Sequence, residues 1–147
     1  MSDLRKLADE GWEAYYAKDV DTLMAQYADD AEVTLPGMPA IKGKDAIRGV
    51  WRLYWAAFPD EHLISIRHLV DGNTVVTEFV SEGTHTGPLP MPTGDVLPPT
   101  GRTVITRGAV VQESVNDKLV KQTFYFDNAA FLQQLGLMPA MEGAAAG

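Results

Sequence analysis

The 147-residue chain reads as a single α+β domain: a curved, antiparallel sheet wrapped as a cone on three N-terminal helices, with a pocket at its centre. Three observations predict this. Helical spacing dominates up to Phe58, and strand-like segments follow from His62 to Phe126, so helices and strands are segregated along the chain. Thr74–Glu82 and Thr103–Val111 read as long strands joined by a loop rich in proline and glycine. A lone histidine, His85, sits between Gly83 and Gly87 where the first of these strands ends, the position at which an antiparallel sheet opens as the rim of a pocket.

Each element has its own signal. Over Asp3–Lys18, Leu4, Leu7, Ala8, Trp12, Tyr15 and Tyr16 recur at helical spacing, with Ser2 or Asp3 as cap. Asp19 starts a second short helix through Leu23, Met24 and Tyr27. Ala31–Leu35 is a short strand stopped by Pro36-Gly37 and Pro39. Lys42-Gly43 is a turn, and Lys44–Phe58 a third helix, ended by Pro59. His62–Val70 alternates imperfectly and runs into Asp71-Gly72-Asn73, a strong hairpin turn. After Thr103–Val111, Asn116-Asp117-Lys118 makes another turn and Leu119–Phe126 is the last strand. Asp127 or Asn128 caps a final short helix through Phe131, Leu132 and Leu135, and Gly136 suits its C′ position. Residues 1–139 are expected to form the domain and 140–147 a disordered tail.

Composition narrows the function. There is no cysteine, which excludes disulfides and thiolate metal sites. A net charge of −8 argues against nucleic acid as a partner, because a basic face supplies most of that affinity. No apolar run approaches the roughly 20 residues of a membrane span, and no basic-then-apolar leader opens the chain, so the expected setting is cytoplasmic, away from membranes. No pair of histidines has i, i+4 spacing and no carboxylate cluster accompanies them, so no metal is expected, and the reading needs no cofactor.

Several short segments then carry a resemblance. Tyr27-Ala28-Asp29-Asp30-Ala31, Gly43-Lys44-Asp45-Ala46-Ile47, Phe58-Pro59-Asp60, Gly83-Thr84-His85-Thr86-Gly87, Pro99-Thr100-Gly101-Arg102, and Asp127 with Gln134-Leu135-Gly136 fall in one order over nearly the whole chain. Together they resemble the SnoaL-like polyketide cyclase branch of the superfamily that includes nuclear transport factor 2 and ketosteroid isomerase. The resemblance implies the NTF2-like cone and, commonly, a homodimer. It does not imply one reaction, because the fold hosts isomerases, cyclases, hydrolases, dehydratases and binding modules. The departures matter as much. The cavity aspartate of the cyclases falls on Phe124, the isomerase base on Leu35, and the isomerase oxyanion acid near Ala109.

With those acids missing, the candidate catalytic residues are His85, Glu82 and Gln122. An imidazole can exchange protons near neutral pH or hold a carbonyl, and equally can pin a loop. Glu78 and Glu82 share one face of their strand, either a cavity carboxylate pair or, on the outer face, solvated or paired with Arg107. Gln122 shares parity with Phe124 and Phe126 and is a polar group able to hold a carbonyl or water. His62 and His68 read as surface or strand-end residues, and Asp127 as a helix cap. The expected ligand-binding wall is aromatic: Tyr16, Trp51, Trp55, Phe58, Phe79, Phe124 and Phe126, with Tyr16 also a donor to a ligand carbonyl. Such a wall suits a small, flat, hydrophobic molecule. Leu89, Met91, Val96 and Leu97 in the loop Pro88–Pro99 are placed to cover the pocket or a partner protomer, and Lys121, Thr123 and Tyr125 alternate on an outer face that fits a homodimer. Three functions stay open: acid–base catalysis (cyclisation, isomerisation or hydration) on a hydrophobic carbonyl or ring compound, non-catalytic binding of such a molecule, or a dimerisation domain whose pocket is incidental. A pocket of a few hundred cubic ångströms separates the first two from the third.

Overall fold

Side-chain caps set three of the four helix starts. The computed structural model describes residues 3–91 and 93–138, so the tail expected at 140–147 lies outside the described residues. Helix α1 (Leu4–Ala17) starts where the Asp3 carboxylate accepts from the Lys6 amide at 3.0 Å, and stops at Lys18, which takes a left-handed conformation. Helix α2 (Val20–Ala25) is capped in the same way by Asp19. Helix α3 (Lys44–Ala57) follows Gly43, whose φ of 87° suits glycine, and ends before Pro59. Helix α4 (Asn128–Gln134) is capped by Asp127, which accepts from the Ala130 amide at 2.9 Å.

The strands are β1 (Tyr27–Thr34), β2 (Ile41–Lys42), β3 (His62–Asp71), β4 (Thr74–Thr84), β5 (Leu89–Pro90), β6 (Val96–Leu97), β7 (Thr103–Val115) and β8 (Lys118–Phe126). Six of them form one sheet in the order β2-β1-β8-β7-β4-β3. All its pairings are antiparallel except β1 with β8, which is parallel. This parallel contact departs from the expected antiparallel meander. It arises because the chain passes through α3 between β1 and β3, and β1 is left to close the far side of the sheet. Tyr27 departs too: it opens β1 instead of extending α2, because its side chain is buried against the core. Strands β4 and β7 run longer than predicted. At the end of the pair away from their connecting loop, the Ser114 backbone N–H donates to the Asn73 carbonyl and the Asn73 side-chain amide donates to the Ser114 carbonyl, which continues the ladder. Lys42, expected in a turn with Gly43, instead pairs with β1 together with Ile41. Strands β5 and β6 make a small hairpin inside the proline loop.

The sequence leaves the buried face of β4 open, and packing decides it. Val75, Thr77, Phe79 and Ser81 point inward against the helices, while Glu78 and Glu82 point out. His68 is buried rather than at the surface. Its Nε2 meets Asp9 Oδ1 at 2.9 Å and its Nδ1 meets Thr77 Oγ1 at 2.8 Å, a clamp that fixes α1 to the sheet. Two apolar clusters result. The larger joins α1, α2 and α3 to β1 through residues such as Leu23, Ala31, Val33, Ile47 and Trp51. The smaller packs Leu89 of the loop and Leu135 against Ala57, Phe58 and Val104. No helix among the described residues is long and apolar enough to cross a membrane.

Candidate functional site

A pocket opens between α1, α3 and the concave face of the sheet. Helix α1 contributes Trp12, Tyr15 and Tyr16, and α3 contributes Trp51 and Tyr54, with Phe58 just beyond its end. The sheet contributes Phe79, Gln112, Gln122, Phe124 and Phe126. The free volume is about 120 Å³. Apolar cavities of on the order of 150 Å³ take up benzene-sized guests, whereas drug-sized sites run to roughly 300–1,000 Å³. The unliganded pocket is therefore smaller than a multi-ring ligand requires.

The acid in this pocket is Glu61. It follows Phe58-Pro59-Asp60, where the chain leaves α3 and turns into β3. Its backbone lies against Gly83: a Cβ on Gly83 would stand 3.3 Å from Glu61 Cα and 3.3 Å from Phe58 Cβ, tighter than side chains normally accept. Tyr15 Oη donates to Glu61 Oε1 at 3.3 Å, and Ser81 Oγ donates to Oε2 at 3.3 Å. These bonds favour the carboxylate, but desolvation outweighs them and pushes the Glu61 pKa up to about 6. Burial together with the Glu61 charge raises the hydroxyls of Tyr15, Tyr16 and Tyr54, so all three remain protonated donors at neutral pH. The arrangement is a carboxylate poised near neutral pH among phenol donors, in an otherwise apolar wall. It can take a proton from a bound molecule and return it.

The residues singled out from the sequence fall in different places. Gln122 lines the pocket, as do Tyr16, Trp51, Phe58, Phe79, Phe124 and Phe126. Trp55 does not; it packs on Tyr15 at 5.5 Å between ring centres, and its indole N–H has no partner among the described residues. His85 lies behind Phe58, with ring centres 5.4 Å apart, and is fully buried outside the lining. Its Nδ1 accepts from the Thr100 amide at 3.2 Å and lies 3.0 Å from Thr100 Oγ1, while its backbone bonds Gly101 and Arg102. Burial pushes the imidazole below the usual histidine pKa and keeps it neutral. His85 thus fastens the return of the proline loop, the structural one of its two readings. Glu82 also lies away from the pocket, on the outer face, where it meets His62 Nε2 at 3.3 Å. Its neighbour Glu78 pairs with Arg67 of β3 rather than with Arg107.

Phe124 and Leu35, the positions on which the resemblance places the cyclase and isomerase acids, both line the pocket. Ala109 is a correction. It pairs with Glu78 and Tyr125 on the outer face, one residue out of phase with the buried Val110, and a one-residue slip exchanges the faces of a strand. Glu61 escaped the sequence reading because it stands at an element boundary beside an exposed histidine. The available signal was Gly83, directly across the ladder from it.

Comparison with known proteins agrees with this architecture. Residues 8–122 match the SnoaL-like domain family. The chain belongs to that family. No curated protein sequence matches this SnoaL-like chain. Among solved structures, IdmH, a candidate polyketide cyclase from Streptomyces antibioticus, is 27% identical over 92% of this chain and 99% of its own, with a TM-score of 0.73. A candidate polyketide cyclase from Xanthomonas campestris pv. campestris superimposes with a TM-score of 0.78 at 21% identity, covering 89% of this chain and 95% of its own. AclR, a candidate hydroxylase from Streptomyces galilaeus, gives 0.75 at 18% identity over 92% and 96%. The last two likenesses establish the NTF2-like fold, and their differing names show that the fold alone does not select a reaction.

Proposed function

We propose that this SnoaL-like domain is an enzyme that performs acid–base chemistry, of cyclase, isomerase or hydratase type, on a small hydrophobic carbonyl or ring compound. Glu61 is the residue that takes and returns the proton. The observation that carries this reading is the Glu61 carboxylate, bonded by Tyr15 and Ser81 and held with a pKa of about 6 on the wall of the pocket. His85 and Glu82 do not serve this role, since neither reaches the pocket.

The small volume alone favours a domain whose pocket is incidental. The acid argues the other way. An apolar residue at position 61 would fill the same space without the desolvation that a carboxylate suffers among aromatic rings. Sites that hold a group at such a disadvantage are enriched in function. Non-catalytic binding is the second reading, favoured by the hydrocarbon at Leu35 and Phe124.

The test needs no knowledge of the natural substrate. Single-ring aryl ketones in D₂O exchange their α-hydrogens when a base removes and returns the proton, and nuclear magnetic resonance reads the exchange. The wild-type domain should accelerate exchange of at least one such ketone, and Glu61→Gln should lose the acceleration by about 100-fold or more, the scale of general-base catalysis. Ketone binding without accelerated exchange would establish the binding reading in its place.

A further inference from the structure

Two glutamines face each other in this pocket and have no role in proton transfer. Gln112 of β7 and Gln122 of β8 are direct cross-strand partners, and both are buried and line the pocket. Each has its carboxamide oxygen committed. Trp12 Nε1 donates to Gln112 Oε1 at 3.2 Å. An indole N–H only donates, so Gln112 must present its oxygen to Trp12. Trp51 Nε1 donates to Tyr27 Oη at 3.3 Å, and Tyr27 Oη donates to Gln122 Oε1 at 2.5 Å. Tyr27 accepts the indole N–H with one lone pair and gives its own hydrogen to Gln122, whose oxygen is thereby occupied. Both carboxamides therefore turn their oxygens toward the aromatic partners and their NH₂ groups away from them. Neither NH₂ group has a protein acceptor among the described hydrogen bonds, and both residues line the pocket.

We infer that Gln112 and Gln122 form a subsite for an acceptor oxygen, a carbonyl or phenolate, on a small aromatic ligand. The inference rests on the acid–base reading of the same pocket and deepens it. An acceptor with two lone pairs can receive one N–H from each amide, and both donors are held in place by bonds to rigid aromatic side chains before the ligand arrives. The position of the pair narrows the ligand further. Ser81, which touches Glu61, pairs with Thr106 on β7, six residues from Gln112. Six residues of strand span about 20 Å, so the amides and the acid lie toward opposite ends of the pocket. The subsite therefore holds an oxygen at the end of the pocket remote from the acid.

The subsite is tested by binding alone. The probes are 4-dimethylaminoacetophenone and 4-ethyl-N,N-dimethylaniline, of similar size, of which only the first carries a carbonyl. Calorimetry gives affinity, and the charge-transfer band of the ketone moves to the red when its oxygen accepts hydrogen bonds. The ketone should bind the wild-type domain more tightly than the ethyl compound, with a red-shifted band. Gln112→Met and Gln122→Met should each weaken the ketone about three- to tenfold and reverse part of the shift, leaving the ethyl compound unchanged. Gln122→Met strands the Tyr27 hydroxyl, so Gln112→Met, remote from that bond, keeps the test open if the former does not fold. Equal affinity of the wild-type domain for both probes, or equal weakening of both in the variants, overturns the amide subsite alone. Binding of neither probe overturns the pocket as a ligand site, and the subsite with it. Glu61→Gln should leave the ketone bound and red-shifted, which separates the amides from the acid.

Discussion

Replacing Glu61 by glutamine tests the acid of the pocket through stability as well as activity. The side chain keeps its shape and loses its charge. In the native protein its pKa is about 6 against a reference of 4.5. At 1.36 kcal/mol per unit this difference amounts to about 2 kcal/mol, and partial exposure to solvent reduces it to about 1–2 kcal/mol. The sign follows from proton counting. Between pH 4.5 and about 6 the native protein holds more protons at this site than the unfolded chain does. Its stability therefore falls as pH rises across that window and is level on either side. Urea denaturation of wild type and Glu61→Gln at pH 4, 5, 6 and 7 isolates the effect. Acids with lowered pKa remote from position 61, such as Asp19, are common to both proteins and cancel in the difference. The wild-type advantage over Glu61→Gln should shrink by about 1–2 kcal/mol from pH 4 to pH 7. For a chain of this size that corresponds to a relative change in Tm of roughly 2–8 °C. In the same window, wild-type hydrogen exchange should rise with pH as the carboxylate ionises. A stability difference that stays flat with pH would refute the perturbed acid, and the catalytic reading would lose its main support.

Three further predictions concern the frame around the site. Gly87→Ala should destabilise by about 3 kcal/mol or more, because its Cβ would stand 1.9 Å from the Ala56 carbonyl oxygen, a backbone atom that cannot step aside; a melting temperature within ~3 °C of wild type would show that the loop sits elsewhere. His85→Ala should cost about 2–3 kcal/mol and speed proteolysis within residues 88–99, while ketone exchange stays within a few-fold of wild type; abolished exchange in a folded variant would return His85 to the chemistry. The outer sheet face carries Leu69, Val76, Ile105 and Tyr125 beside both Arg67 and Glu78, a mixed surface that can meet its own copy about a two-fold axis, and we propose that it does. Light scattering should find a dimer, and Tyr125→Glu a monomer; a monomeric wild type at micromolar concentration would exclude this pairing.

The sequence made the frame legible because local chemistry sets it. Asp3, Asp19 and Asp127 cap helices with their own carboxylates, Pro59 ends α3, and Asp71-Gly72-Asn73 turns one strand into the next, all within a few residues of chain. What stayed hidden depends on partners far away in the chain. The parallel match of β1 to β8 joins residues about 90 positions apart, as Val33 meets Gln122, and no local signal announces it. Strand β4 presents apolar and polar residues on both faces, so its direction is decided only when Trp12 packs on Phe79 and His68 reaches Thr77.

Glu61 is the sharpest case. Its hydrogen-bond partners lie 46 and 20 residues away, at Tyr15 and Ser81, and a single acid at the edge of a strand has no periodicity to give it away. The glycines around His85 were nonetheless a true signal, aimed at different neighbours. Gly87 admits the Ala56 carbonyl, and Gly83 admits Glu61 and Phe58. A glycine inside a strand marks the close approach of something else, and that something need not be the residue beside it in the chain. At Gly83 the visitor is the backbone that carries the acid. His85, flanked by both glycines, owes its burial to the same close packing and holds the loop that they leave room for.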